Sequence, residues 1–241
     1  MIRVSHLQST KLMLTISVTP KQTYTNEVIV EHKEPAGSAA LTNTRARTRK
    51  LLVDTAIRLF DEGAFPSVTD VAQAAQLSRA TAYRYFPSQS ALVDAVVGET
   101  LYPIQQWQPA QPEVEARIDE LLSYAFPLML KHEGSLRAAL HLSLTQWEHA
   151  RSQHTVGSKD KLVRGNRKAM LQLVTRPLLE EMPQPQVLKV IQALSLVYGS
   201  EIFLVMKDIW HCDNAGVEAL GKWIAKAIVR QAREDAAAAA S

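Results

Sequence analysis

Two short helices separated by too few residues for anything but a tight turn constrain this chain more than any other feature. Residues 67–86 read SVTDVAQAAQLSRATAYRYF. The hydroxyl of Ser67 can accept the free amides of a first helical turn, and Asp70, three residues on, can reach back to close a capping box. Val68, Val71, Ala72 and Ala75 then fall at helical spacing on one face, Gln76-Leu77 makes a turn, and Ser78 caps a second short helix from Arg79 to about Phe86. Ala72, Ala75 and Ala82 allow the two helices to cross closely, with Leu77 filling the core between them. The spacing predicts a helix-turn-helix.

The second of these helices carries the chemistry. Arg79, Thr81, Tyr83, Arg84 and Tyr85 crowd onto about two turns and supply guanidinium forks, a hydroxyl and two phenols. Arginine pairs bidentately with guanine edges, a threonine methyl can touch a thymine methyl, and phenols and cations hold phosphates. The same residues would also suit an ordinary helical hairpin with a solvated outer face.

The order Thr69-Asp70-Val71-Ala72, Leu77-Ser78, Thr81-Ala82-Tyr83-Arg84-Tyr85-Phe86-Pro87-Ser88 and Leu92 resembles the amino-terminal domain of the TetR family of transcriptional repressors. The resemblance covers about residues 44–101, including a preceding helix with Ala56, Leu59, Phe60 and Glu62-Gly63. It implies a dimeric regulator that binds a near-palindromic double-stranded operator and releases it when a small-molecule effector enters a carboxy-terminal domain. The residues expected at the DNA are Arg45, Arg47, Arg49, Lys50, Thr69, Ser78, Arg79, Ala80, Thr81, Tyr83, Arg84 and Tyr85. Two positions depart from the family pattern. Gln76 stands where glycine is frequent, so a left-handed turn there would cost about 1 kcal/mol more than with glycine. Gln89 replaces a common lysine and removes one expected phosphate contact.

The 241 residues and 46% hydrophobic content suffice for one large or two modest domains with a buried core. A net charge of +3 excludes a general nucleic-acid coat protein; the positive charge is local, in Arg45, Arg47, Arg49 and Lys50. Cations at a helix amino terminus oppose the macrodipole, which favours a phosphate role for this cluster. One cysteine, Cys212, excludes an internal disulfide and suits a reducing cytoplasm. No apolar run approaches the length of about 20 residues that spans a bilayer.

The expected architecture is all-α. Residues 1–43 read as an extension and linker, strand-like over 12–18 and 28–30 and then polar and small from Glu31 to Asn43. Residues 44–101 read as the three-helix DNA-binding domain with a fourth, connecting helix from Ser88 to about Leu101, and the proline-bearing segment 102–112 as a boundary loop. Residues 113–235 read as a helical effector-binding and dimerisation domain. Its helices are expected at about 113–132 with a kink at Pro127, 135–150, 159–182, 186–209 and 215–234, with a fraying alanine-rich tail. The last two are apolar enough to pair with a second copy in a four-helix bundle.

Tyr124, Phe126, Met129, His141, Trp147, Met170, Tyr198 and Phe203 are the aromatic, Met and His groups that could line a mostly apolar cavity, and the scarcity of charge on these helices argues against a highly charged effector. The seven histidines hold no metal signature, because His141 and His149 on one helix lie about 12 Å apart. No nucleophile elbow, phosphate-cradling loop or Glu-x-x-His pair occurs. The expectation is a non-enzymatic, cofactor-free, cytoplasmic DNA-binding repressor. The competing reading is a helical interaction module that has lost specific DNA binding.

Overall fold

The computed structural model describes residues 36–153 and 167–240, and all regular structure among them is helical. The helices are α1 (Ala36–Asp61), α2 (Val68–Ala74), α3 (Arg79–Tyr85), α4 (Gln89–Gln106), α5 (Val114–Lys131), α6 (Glu133–Gln153), α7 (Arg167–Thr175), α8 (Gln184–Leu194), α9 (Glu201–Phe203) and α10 (Asn214–Ala240). A 3₁₀ segment, Arg176–Glu180, follows α7, and π-helical turns, Leu204–Ile209, follow α9. Residues 42–241 form one compact unit; of the other, Met1–Leu41, only the residues from Ala36 on are described. The strand-like stretches expected at 12–18 and 28–30 lie outside the described residues.

Several boundaries differ from expectation. The helix expected from Thr44 begins at Ala36, inside the expected linker, because Ala36, Ala39, Ala40 and Leu41 are strong helix formers and Pro35 stands just ahead of the first turn. The segment expected as a loop from Tyr102 continues α4 through Pro103 to Gln106, and the extra turn buries Ile104. The helix expected at 159–182 gives way at Thr175, where Pro177 forces a tighter 3₁₀ turn. The long helix expected at 186–209 is broken: α8 ends at Leu194, and Ser195 turns its hydroxyl back to the Ile191 carbonyl at 2.8 Å. The alanine-rich tail continues α10 to Ala240 instead of fraying, in keeping with alanine's helix propensity.

Two hydrophobic clusters organise the unit. One joins Leu52, Val53, Ala56 and Phe60 of α1 to Val71, Ala72, Ala82, Phe86, Leu92, Val93 and Val96, with Ala138 entering from α6. The other gathers Ile104, Ile118, Leu121, Leu122, Phe126, Met170, Val174, Leu178, Leu194, Phe203, Val217 and Val229. Val97 of α4 packs against both.

A polar joint fastens the end of α1 to the α5–α6 corner. Asp61 Oδ1 accepts from the Ser135 amide at 3.2 Å and the Ser135 hydroxyl at 3.1 Å, while Oδ2 meets His132 Nδ1 at 2.8 Å. The corner comes so close that a Cβ on Gly134 would lie 2.0 Å from the Phe60 carbonyl oxygen, so only glycine fits there.

Ion pairs tie the carboxy-terminal helices together. Arg137 grips both carboxylate oxygens of Asp208 at 2.7 Å, and Arg233 of α10 donates to Glu181 at 2.6 and 3.0 Å and to Glu115. The Arg233 guanidinium holds the Glu181 carboxyl below its ordinary range. A carboxyl depressed by folding adds stability that is complete above the unfolded pKa, about 4.3, and is lost as pH falls through the folded value. The urea midpoint should therefore drop as pH falls below about 4.5, and Glu181→Gln should flatten part of that drop while lowering the midpoint at neutral pH. Superimposable pH profiles for the two proteins would remove this pair from the balance.

Candidate nucleic-acid interface

The helix-turn-helix is built by its caps. Ser67 and Asp70 form the reciprocal box: the Ser67 amide donates to Asp70 Oδ2 at 2.9 Å, and the Asp70 amide donates to Ser67 Oγ at 3.2 Å. The hydrogen bonds from Ser67 hold the Asp70 carboxyl below its usual value. Ser78 caps α3 by accepting from the Thr81 amide at 3.1 Å, and the two hydroxyls share a 2.8 Å bond. Between the helices, Gln76 adopts φ 55°, the left-handed turn that its position requires. Ala72 and Ala82 are fully buried at the crossing, while Ala75 and Leu77 are half-buried against the same cluster.

On the outer side of α3, Arg79, Ala80, Tyr83 and Arg84 are exposed. The Arg79 guanidinium lies over the Tyr83 ring at 5.3 Å, which presents a cation and a phenol as one unit. Tyr85 turns half inward against the core, and Thr69 and Thr81 are half-buried. The structure thus gathers Arg79, Ala80, Tyr83 and Arg84 on one open surface, whereas Ser78 and Thr81 already spend hydroxyls on each other.

The basic cluster on α1 divides. Arg45 and Arg47 are exposed and make no ion pair with a described residue. The Arg49 guanidinium sits 5.7 Å over the Phe86 ring. Lys50 is bonded to Asp54 at 3.0 Å and lies 3.9 Å from Glu99, so its charge is largely compensated and its ammonium is held above the ordinary value, chiefly by the Asp54 bond. Because α1 begins at Ala36, all four cations stand within the helix, and the macrodipole argument for them falls. Gln89 has a structural task that its sequence position concealed: its Nε2 donates to the Pro66 carbonyl at 2.9 Å, fastening the start of α4 to the entry of α2.

Residues 52–96 match the family model described as bacterial regulatory proteins, tetR family. This segment is a TetR-family DNA-binding domain. The structure as a whole is similar to the crystal structure of a tetR-family transcriptional regulator from Streptomyces coelicolor, with 19% identity, a TM-score of 0.53, and coverage of 79% of this chain and 82% of that one. That likeness shows a shared fold. The flavonoid-responsive regulator FrrA aligns at 19% identity over 79% of this chain and 97% of its own, with a TM-score of 0.45. No curated protein matches the chain.

Behind the TetR-type domain, a cavity of about 450 Å³ is walled by α4, α5, α6, α7, α8 and residues 195–201. Of the residues expected to line such a space, Met129, Met170 and Tyr198 do so. Phe126 and Phe203 are instead wholly buried, ring against ring at 6.2 Å. Tyr124 is exposed on α5; His141 is exposed and meets Phe65 edge-on at 5.2 Å; Trp147 is exposed under the Arg151 guanidinium. The helical period assigned these aromatics to apolar faces without telling which faces meet a void. The cavity also carries charge that the helices did not advertise: Asp94, Arg167, Lys168 and Glu201.

Arg167 Nη1 donates to the Ser195 carbonyl at 3.2 Å and Nη2 to Glu201 at 2.5 Å. Gly199 makes room for it, since a Cβ there would lie 2.1 Å from Nη2. Tyr198 is 6% exposed, and burial pushes its phenol up to about 12 against the opposing pull of Arg167, so it stays neutral. Among the described residues no group of three or more His, Cys, Asp or Glu could hold a metal, and no helix is long and apolar enough to cross a membrane. His154 and Asp160, which follow His141 and His149 in the sequence, lie outside the described residues.

Glycine at position 76 would relieve the left-handed strain. Gln76→Gly should raise stability by up to about 1 kcal/mol in denaturant unfolding, whereas a β-branched residue there should lower it; a neutral or destabilising glycine would argue against a strained left-handed residue at this turn.

Proposed function

We propose that this chain is a homodimeric repressor that acts in the cytoplasm on a near-palindromic operator and leaves it when a small molecule fills the cavity. The observation that carries the reading is that two helices serve the TetR-type domain and the cavity at once. In α4, Leu92, Val93 and Val96 belong to the DNA-binding cluster, while Val97, Leu101 and Ile104 face the cavity. In α6, Ser135 and Ala138 meet the DNA-binding side and Gln146 donates to Ser90 at 3.0 Å, while Leu136, Ala139 and Leu140 line the cavity. A ligand that fits only one placement of α4 and α6 shifts the population of recognition-helix positions. With each α3 in a major groove, half-sites lie about one helical turn, roughly 34 Å, apart.

In this reading Arg79, Tyr83 and Arg84 meet bases and phosphates, and Arg45 and Arg47 add phosphate contacts. Tyr83→Ala or Arg84→Ala should weaken operator binding by about 1–3 kcal/mol in fluorescence anisotropy. Arg47→Ala should weaken all duplexes alike and make the salt slope shallower. Unchanged affinity in both recognition-helix variants would sink the assignment. Wild-type protein that binds the DNA upstream of its own gene and sequences selected from random duplexes no better than a scrambled duplex would favour an interaction module instead.

Dimerisation is assigned to the stretches expected as the last two long helices, about residues 186–209 and 215–234, in and beside which large apolar side chains stand in solvent: Leu196 at 80%, Ile209 and Trp223 at 68% and Trp210 at 69% exposed. Trp223→Glu or Leu196→Glu should shift the mass measured by light scattering from two chains to one and cost operator affinity; a wild-type monomer at micromolar concentration would refute this arrangement.

A further inference from the structure

The break between α8 and α9 does more than interrupt a helix, because it adds a polar wall to a cavity that α4, α5, α6 and α8 line largely with apolar side chains. Ser195, Tyr198, Gly199, Ser200 and Glu201 all line that cavity, beside Arg167 and Lys168 from the start of α7. Leu101, Ile104, Met129, Leu136, Leu140 and Ile191 supply most of the apolar lining, with Asp94, Gln105, Ser143 and Gln192 among them.

Two features of the polar wall point to a ligand group. Tyr198 is more than nine-tenths buried, and its hydroxyl has no hydrogen-bond partner among the described residues. Buried phenols are ordinarily bonded. This one is not sealed off either, since Gln186 Oε1 is the fully enclosed side-chain atom that lacks a partner among the described residues. The second feature is charge. Arg167 and Glu201 cancel as an ion pair, while Lys168 makes no hydrogen bond or ion pair with a described residue and leaves this wall positive. Asp94, on the α4 wall, already has an interaction of its own.

A neutral phenol free to donate and the exposed Lys168 ammonium in the same lining match an acceptor that carries negative charge, and the Leu, Ile and Met side chains match hydrocarbon. We infer that the cavity takes an apolar carboxylic acid, its carboxylate received by Tyr198 and Lys168 next to the Arg167–Glu201 pair and its apolar body among the α4, α5 and α6 side chains. The Arg167–Glu201 pair is a positioning element: together with the Arg167 bond to the Ser195 carbonyl it ties the two ends of the 195–201 turn that carries Tyr198, and Gly199 admits it.

This inference rests on the ligand-responsive reading above and names the chemistry of its effector. The test is calorimetric titration of the full chain with decanoate and 2-naphthoate, each beside its methyl ester and the primary amine of the same skeleton. The acid should bind at least about 10-fold tighter than ester or amine, and Tyr198→Phe and Lys168→Met should each weaken the acid by about 10-fold while changing the ester much less. Tyr198→Phe keeps the ring that packs, so its effect isolates the hydroxyl. Absence of acid binding, equal binding of the amine, or full affinity in Tyr198→Phe would overturn the inference. Operator binding is measured separately by anisotropy. Specific DNA binding without acid binding defeats the carboxylate assignment alone, whereas acid binding through Tyr198 without any DNA binding supports it and defeats the regulator reading.

Discussion

Everything in the unit formed by residues 42–241 depends on α4 being wanted by two hydrophobic cores. Its first half carries Leu92, Val93 and Val96 into the cluster that holds the helix-turn-helix, and its last turn carries Ile104 into the cluster built on α5, α7 and α8. Val97 touches both. Moving α4 relative to either cluster uncovers apolar surface, at about 25 cal/mol for each Å². A helix shared in this way cannot respond to a ligand on one side without the other side being affected. That demand also explains why α4 passes through Pro103: the turn beyond the proline loses one backbone hydrogen bond but buries Ile104.

The helix-turn-helix was legible in the sequence because its determinants are local. Ser67 with Asp70, Ser78 with Thr81, and the alanines at the crossing all act within a few residues of one another, and the structure forms both caps and the left-handed residue at Gln76. Even so, local pattern could not say which cations remain available. Lys50 is compensated by Asp54 one turn away and by Glu99 from another helix, and Arg49 rests on Phe86. Those assignments depend on how α1, α3 and α4 pack, which periodicity does not carry.

The cavity was the least legible part, for a related reason. Apolar residues at 3.6-residue spacing continue through residues 186–209, so the pattern reads as one helix. Ser195, Gly199 and the π-helical turns after Phe203 interrupt it, and the interruption turns Tyr198 toward the void. Arg167 and Glu201 lie 34 residues apart and find each other only because of that interruption. Aromatic content alone favoured Phe126 and Phe203, yet full burial spends them on holding the core together.

The contact between Gly134 and the Phe60 backbone bears on how freely such a protein can exchange parts. Recognition helices and effector cavities are often imagined as interchangeable modules, joined wherever the chain permits. Here the joint is backbone against backbone, flanked by Asp61 on one side and His132 and Ser135 on the other. A foreign reading head grafted onto this body would need a first helix that ends with the same low profile and the same acid. If α3 reads DNA as proposed, specificity can therefore drift through its side chains one at a time, while wholesale replacement of the domain must also reproduce this seam.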